Sequence, residues 1–176
     1  MLANVPGGIL LSLLIVMPIL SFAVIVCGSV WGFRKALENN GPGRKKAIVV
    51  SILSVVIAAL SFVMNMGWIR FIMIFLMIPF IHAAIFFLTN LFVSFYAERS
   101  HKIRSFNLLF CITYLAAYIF LPDGADYGEM YFLFGLIHSN ILSGIAYAVS
   151  SIAFLGNIVL FILQIIYVVK IKRKHM

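Results

Sequence analysis

The chain has 176 residues, of which 64% are hydrophobic and only 10% are charged, and its net charge is +8. A soluble domain needs about a quarter of charged residues to cover its surface, so this composition excludes a soluble fold and predicts a surface that faces lipid. In a soluble protein such a positive charge would indicate nucleic-acid binding. Here the bases lie at the ends of apolar runs, where they meet anionic lipid head groups. We therefore expect the lipid bilayer, and not nucleic acid, as a partner.

Five apolar runs have the length of a membrane span. A hydrocarbon core of roughly 30 Å takes about 20 helical residues, and the runs show no alternation that would indicate a barrel. The sequence therefore predicts a single all-α membrane domain over residues 1–176, a bundle of five transmembrane helices. Their approximate bounds are Ile9–Phe33, Ala47–Gly67, Phe71–Tyr96, Ser105–Leu121 and Ala148–Val169.

The basic residues predict the orientation of the bundle. Apart from Arg70, every Lys and Arg falls in one of three clusters, Arg34–Lys46, Arg99–Arg104 and Lys170–Lys174. Basic residues in short flanking loops bias those loops to the cytoplasm. With five spans this rule places the N-terminus outside and the C-terminus in the cytoplasm. The expected location is the inner (plasma) membrane of a bacterium, crossed several times.

The connections between the spans are less uniform. Asn65–Trp68 reads as a tight turn that makes the second and third helices antiparallel neighbours. Residues 122–147 form the predicted loop outside the membrane, and within it Tyr131–Tyr147 is apolar but broken by Gly135 and by polar residues. That segment could be a re-entrant helix, an interfacial helix or an extension of the last span.

Polar residues inside the spans show which helix faces are buried, because such groups seek partners on other helices. The second span carries a seam of small and polar residues that ends at Asn65, and the fifth carries Ser150, Asn157 and Gln164 at intervals of seven. Both patterns put the residues on one helix face. Two interpretations remain: hydrogen bonds that hold the bundle together, or a polar path between helices.

His82 is an ionisable residue in the middle of the third span, where such groups are functional candidates. Pro79, three residues earlier, is expected to free a backbone carbonyl and to kink the helix. One interpretation is a site that responds to protons or contacts a ligand. The other is a neutral imidazole that bonds to the freed carbonyl or to a neighbouring helix, which the lack of any acid in the spans favours.

Three acids cluster in the outer loop, at Asp123, Asp126 and Glu129. Their spacing resembles part of a calcium loop, but the twelfth position, which should be a bidentate Glu, is Phe134. We therefore expect no metal site. The acids are expected to be solvated, or one of them to pair with Arg70, the base on their side of the membrane.

No motif in the sequence indicates catalysis or cofactor binding: there is no phosphate-binding loop, dinucleotide fingerprint, zinc spacing or nucleophile elbow. The first functional hypothesis is a non-enzymatic protein that binds another membrane protein, as an accessory subunit or an immunity-type protector, or that self-associates. The alternative is a small oligomeric transporter or channel subunit with a polar path near His82 and Asn157. A membrane enzyme acting on lipids is the third and has the least support.

Overall fold

The computed structural model describes residues 7–38, 42–96, 101–124 and 130–174. In these residues the chain forms six helices and a two-stranded antiparallel sheet. The elements are α1 (Gly7–Glu38), α2 (Pro42–Met64), α3 (Trp68–Phe75), α4 (Ile78–Ser94), α5 (His101–Ile119), β1 (Tyr131–Phe132), β2 (Ile137–His138) and α6 (Asn140–Lys174). The fold is thus mostly helical, as the sequence predicts.

The five longer helices pack as a bundle with alternating direction. Ser21 and Gly28 of α1 lie against Phe80 and Phe87 of α4, so these two helices run parallel. Ile48, near the start of α2, lies beside Leu91, near the end of α4, so α2 is antiparallel to both. The hydrogen bond from Ser150 to Ala117 and the ring contact of Phe106 with Tyr167 make α5 antiparallel to α6.

This arrangement brings the described basic clusters to one end of the bundle. The end of α1, the beginnings of α2 and α5, and the end of α6 meet there. We call it the basic end. The opposite end carries the α2–α3 turn and the β1–β2 hairpin, and we call it the hairpin end.

Several helices have the character of membrane spans. Three of them (α1 from Ile15, α2 from Arg44, and α6) are long and apolar enough to cross a bilayer, and α3 and α4 together would make a fourth. Most of their apolar side chains are exposed and therefore available to lipid. α5 does not meet the same criterion, so five spans remain a prediction.

The third predicted span, Phe71–Tyr96, differs from the expected continuous helix. It is broken at Leu76 and Met77, where α3 and α4 meet at an angle of 69°, and Met77 adopts a left-handed conformation with φ of 60°. Pro79 lies in the first turn of α4, a position that proline favours. Its ring would clash with the carbonyl four residues earlier, at Phe75, where α3 ends. The proline therefore begins a new helix and does not kink an existing one.

The segment that the sequence left open divides in two. Residues 131–138 form the β1–β2 hairpin, and α6 begins at Asn140 and continues without a break for 35 residues. Residues 140–147 are therefore an extension of the last helix. The hairpin is tied to the end of α5 by the bridge between Asp123 and Tyr131 and by the bond from the Leu133 N–H to the Ile119 carbonyl.

Candidate functional site

The buried polar residues of the bundle are arranged in three layers along its axis. The first polar layer, at the hairpin end, contains Ser61, Asn65, Arg70 and Asp123. The second contains His82, Thr113, Tyr118 and Asn157. The third, nearer the basic end, contains Ser54, Asn90, Asn107, Cys111 and Gln164. Tyr118 joins the first two layers, because its carbonyl accepts a hydrogen bond from Arg70.

Asp123 caps helix α3 from outside that helix. Its carboxylate accepts the backbone N–H of Ile69 at 3.1 Å and that of Arg70 at 2.8 Å, which are the second and third N–H groups of α3. No side chain of the preceding residues caps this helix, since its N-cap is Gly67. A carboxylate at a helix N-terminus satisfies unpaired donors and interacts favourably with the helix dipole.

The Arg70 guanidinium binds the C-terminal ends of two other helices, α2 and α5. It donates to the Ser61 carbonyl in the last turn of α2, and to the carbonyls of Tyr118 and Leu121 at the end of α5, at 3.0 and 2.7 Å. These carbonyls belong to helix C-termini, which carry partial negative charge. The side chain is fully buried, and its Nε lies 3.9 Å from Asp123 Oδ2. Asp123 is thus the acid that pairs with Arg70.

Asn65 completes the first polar layer. Its amide nitrogen donates to the Ser61 hydroxyl at 3.4 Å, and the residue is fully buried at the end of α2. The Tyr131 hydroxyl donates to the Met66 carbonyl at 2.7 Å and closes the hairpin over this turn. Asp126 and Glu129, the other two acids of the predicted outer loop, lie outside the described residues.

His82 is the centre of the second polar layer. Its Nδ1 lies 2.9 Å from the Tyr118 hydroxyl, and its Nε2 lies 2.9 Å from Asn157 Oδ1. The Asn157 nitrogen donates to the Phe110 carbonyl and to the Thr113 hydroxyl, at 2.9 and 3.0 Å. The partners of His82 are therefore on the neighbouring helices α5 and α6, and not the carbonyl that Pro79 was expected to free.

These bonds fit a neutral imidazole. Because both N–H groups of Asn157 are donated to oxygen atoms, its Oδ1 faces His82 and must accept from Nε2. Nδ1 then accepts the Tyr118 O–H. A neutral imidazole with one donor and one acceptor satisfies both contacts. The network leaves His82 with no unpaired nitrogen that could bind a further group.

Aromatic rings enclose the second polar layer. The imidazole lies 4.9 Å from the ring of Phe154 and 5.0 Å from that of Tyr114, measured between centroids. On the side of the basic end, Tyr114 stacks on Phe86 at 3.8 Å, and Phe86 contacts Phe110 at 5.1 Å. This stack lies between His82 and the third layer at the interface of α4 and α5.

Gln164, on α6, lies in the third polar layer together with Asn90, which the sequence did not single out. Both side chains are at least 98% buried, and the polar atoms of both have no protein hydrogen-bond partner of ordinary geometry. A signal for Asn90 was present, since Thr89-Asn90 is a polar pair within the apolar run of α4.

A cleft opens in the side of the bundle between α1, α2 and α4. It has a volume of about 460 Å³, and the Tyr114 and Tyr118 rings form its buried floor. Its other lining residues are apolar or small. Phe22 and Val63 line it and are 71% and 67% exposed, so the cleft is open to the medium beside the bundle. No pattern in the sequence predicts this cleft, because its lining residues come from helices that are distant in the chain.

α1 and α4 meet closely beyond the cleft. A Cβ at Gly28 would lie 2.9 Å from the Phe87 ring, and one at Gly32 would lie 2.5 Å from Leu91 Cδ1. Seven residues toward the hairpin end, the Ser21 hydroxyl donates to the Phe80 carbonyl at 2.9 Å and joins the two helices at the wall of the cleft. Close contacts between α1 and α4 thus bound the cleft on this side.

In the described residues no group of three or more His, Cys, Asp or Glu side chains is placed to hold a metal ion. Cys27 and Cys111 are both free thiols, exposed and buried respectively.

The fold and its buried layers define a helical bundle with several helices of membrane-spanning character. Comparison of the chain with protein-family models, with curated proteins and with solved structures finds no match. The function is therefore argued from the geometry.

Proposed function

We propose that this chain is a non-enzymatic protein of the bacterial inner membrane that binds another membrane protein within the bilayer. The observation that carries the proposal is the cleft between α1, α2 and α4, whose lining residues Phe22 and Val63 are exposed on the side of the bundle. A binding site with this direction of access receives molecules that are themselves in the membrane. The role would be that of an accessory subunit or of an immunity-type protector.

The proposal includes five crossings, with α5 as the fourth. α5 has 19 residues, about 28 Å at 1.5 Å per residue. It reaches from Ile103, in contact with Val93 near the basic end, to Tyr118, in contact with Ser61 near the hairpin end. α5 therefore extends between the same two ends of the bundle as α2 and α4 do. The first residues of α5, with Lys102 and Arg104, lower its apolar character because they lie at the membrane boundary.

The orientation follows from the basic end. The described members of all three basic clusters lie there, while Arg70 at the hairpin end is buried and paired with Asp123. By the positive-inside rule the basic end faces the cytoplasm. The hairpin end, with α3 and the β1–β2 sheet, then lies outside, and so does the N-terminus.

The occupant that we propose for the cleft is an apolar helix of another membrane protein. Ala58, Ala59 and Ala83 line the cleft together with Ser21. Small side chains at such positions let helix backbones approach closely, which is the main source of affinity between helices in lipid. The larger rings of Phe22 and Phe80 flank them and supply the contact area that small residues lack.

The transporter hypothesis receives less support from the geometry. A path near His82 and Asn157 would need polar groups free to contact a substrate, and the bonds of the second polar layer leave none on His82. The Phe86–Tyr114 stack would also have to open.

Copurification tests the proposal. The protein carries a tag on its C-terminus and is extracted from native membranes in mild detergent, and we expect a second membrane protein at constant ratio. Ala59→Trp, at an exposed position in the cleft, should release that protein at unchanged abundance of the bait. Leu155→Trp, at a position of α6 that is 64% exposed, is the matched control and should retain it. Retention by Ala59→Trp, or no partner for either protein, would contradict the proposal.

A further inference from the structure

The third polar layer contains an unusual set of unpartnered atoms. Asn107 Oδ1 and Gln164 Nε2 and Oε1 are buried without a protein hydrogen-bond partner, and the Asn90 amide has only the Cys111 thiol against it. Their side chains come from α4, α5 and α6. Buried amide groups are costly when left unpaired, and most buried polar atoms in folded proteins have a partner.

The helix registers place the three amides at one level. Between α4 and α5, Phe86 contacts Phe110 and Val93 contacts Ile103, so Asn90 lies opposite Asn107. Between α5 and α6, Asn157 bonds to the Phe110 carbonyl and Phe106 contacts Tyr167. Gln164 lies between those two contacts and is therefore also opposite Asn107.

A groove between α4 and α6 also indicates that Asn90 and Gln164 lie at the same level of the bundle. Its lining includes Thr89 and Val93 on one side and Phe161 and Ile165 on the other. Asn90 and Gln164 are next in sequence to Thr89 and Ile165, which line opposite sides of this groove. Ser54 and Asn90 also lie against the Cys111 thiol, which is a weak hydrogen-bonding group. Four helices thus contribute to one buried polar cluster.

The chemistry of the cluster selects the kind of ligand. A carboxamide offers both a donor and an acceptor, and its two ends exchange by rotation. A ligand that fits must therefore donate and accept. No charged side chain belongs to the cluster, and the positive potential of the nearby basic end disfavours a cation. An anion would lack a cationic partner among these residues, and burying an unpaired charge is very costly.

We propose that the third polar layer is a binding site for water, which bridges Asn90, Asn107 and Gln164 inside the bundle. Water donates and accepts, and buried waters make about three hydrogen bonds to polar groups that otherwise lack partners. Asn107 is six residues from His101, the first residue of α5, which is about 9 Å along the helix axis. The site therefore lies within two helical turns of the basic end.

The Phe86–Tyr114 stack limits this hydration to one half of the bundle. It lies between the water site and His82, whose bonds are already complete. The interior would thus contain water between the stack and the basic end, and none between the stack and His82. This inference does not depend on the cleft or on the proposed partner.

The two cysteines allow a matched test. Cys111 lies in the third layer, and Cys27 precedes Gly28, which contacts Phe87 at the same level of the bundle. Cys111 is 3% exposed, whereas Cys27 is exposed on the outer face of α1. The whole protein in lipid nanodiscs is given a millisecond X-ray pulse, which forms hydroxyl radicals from water, and the oxidation of each thiol is measured by mass spectrometry.

We expect Cys111 to be oxidised several-fold faster than Cys27 although it is the more buried of the two. In the double variant Asn90→Leu, Gln164→Leu the rate at Cys111 should fall to that at Cys27. An equal or slower rate at Cys111 in the unmodified protein would overturn the proposal, because direct amide–amide bonding would then account for the cluster. If the double variant does not fold, the ratio in the unmodified protein still decides the question. A folded double variant with an unchanged rate would also overturn it.

Discussion

Asp123 accepts the backbone N–H of Arg70 at 2.8 Å, and the guanidinium of the same arginine, 3.9 Å away at Nε, holds the ends of α2 and α5. One residue pair therefore completes three helix termini. Both side chains of the pair are buried. Charged groups inside a membrane protein are usually paired with one another or with backbone carbonyls. The contacts made by the pair are between parts of this fold, which assigns it a structural role.

Loss of the Asp123 carboxylate should strongly destabilise the bundle. Asp123→Ala removes the cap of α3 and leaves Arg70 as a buried charge without an acid. Breaking a buried ion pair on one side costs about 3–5 kcal/mol. We expect a large drop in the thermal unfolding midpoint in detergent and a lower amount of protein in membranes.

The control for this substitution is an exposed pair. Glu38 lies 2.9 Å from Lys35 at the end of α1, with both side chains open to solvent. Surface ion pairs contribute little, so Glu38→Gln should leave the unfolding midpoint where it was. Similar effects of Asp123→Ala and Glu38→Gln would mean that the buried pair does not hold the helix ends.

Gly67→Ala should also disturb the cap of α3. A Cβ at this position would lie 2.5 Å from Asp123 Oδ1 and 2.8 Å from the Gly124 carbonyl oxygen. These atoms are fixed by the cap and by backbone, so the substitution should lower the unfolding midpoint. Gly144→Ala is the matched control, since a Cβ there meets nothing within 4 Å and alanine favours a helix. A midpoint that Gly144→Ala lowers as much as Gly67→Ala would contradict this account.

Tyr118→Phe tests the role of the His82 network. The substitution removes the O–H that His82 Nδ1 accepts and keeps the ring, so it should cost about 1 kcal/mol. We expect a modest drop in the unfolding midpoint and unchanged copurification of the partner. Loss of the partner, or of transport, at full abundance and stability would instead give the network a functional role.

The proposed orientation predicts which surfaces meet each aqueous side. Leu136, in the hairpin turn, is 74% exposed, and Lys172 is exposed near the end of α6. In intact cells an impermeant maleimide should label Leu136→Cys, and it should label Lys172→Cys after the membrane is opened. The unmodified protein, with Cys27 facing lipid and Cys111 buried, shows the background. The reverse pattern would invert the orientation.

The helical character of the chain and the buried helix face that carries Asn157 and Gln164 could be predicted from the sequence, because both depend on local patterns. Polar residues at heptad spacing mark a buried face, and Asn157 and Gln164 both lie on the buried side of α6. What the pattern could not give is the partner of each group. His82 bonds to residues 36 and 75 positions away, and such pairings depend on helix register.

The break between α3 and α4 shows a second limit. The run Phe71–Tyr96 is apolar on both sides of the break, and hydropathy does not report the conformation of Met77. Pro79 signalled a disturbance, but whether a proline kinks a helix or begins one depends on the backbone before it, here the left-handed Met77. The beginning of α3 likewise depends on a cap from Asp123, which is more than 50 residues away. The cleft is formed by α1, α2 and α4 together, which no local pattern encodes.

Site-specific photo-crosslinking in living cells tests the central claim most directly. A photoreactive phenylalanine analogue replaces Val63 in the cleft or, as a control, Leu155 on α6; the two positions are similarly exposed, at 67% and 64%. We predict one discrete heavier product from position 63 that contains a second membrane protein, and none from position 155. Crosslinks to lipid alone at both positions would contradict the claim that the cleft binds a membrane protein.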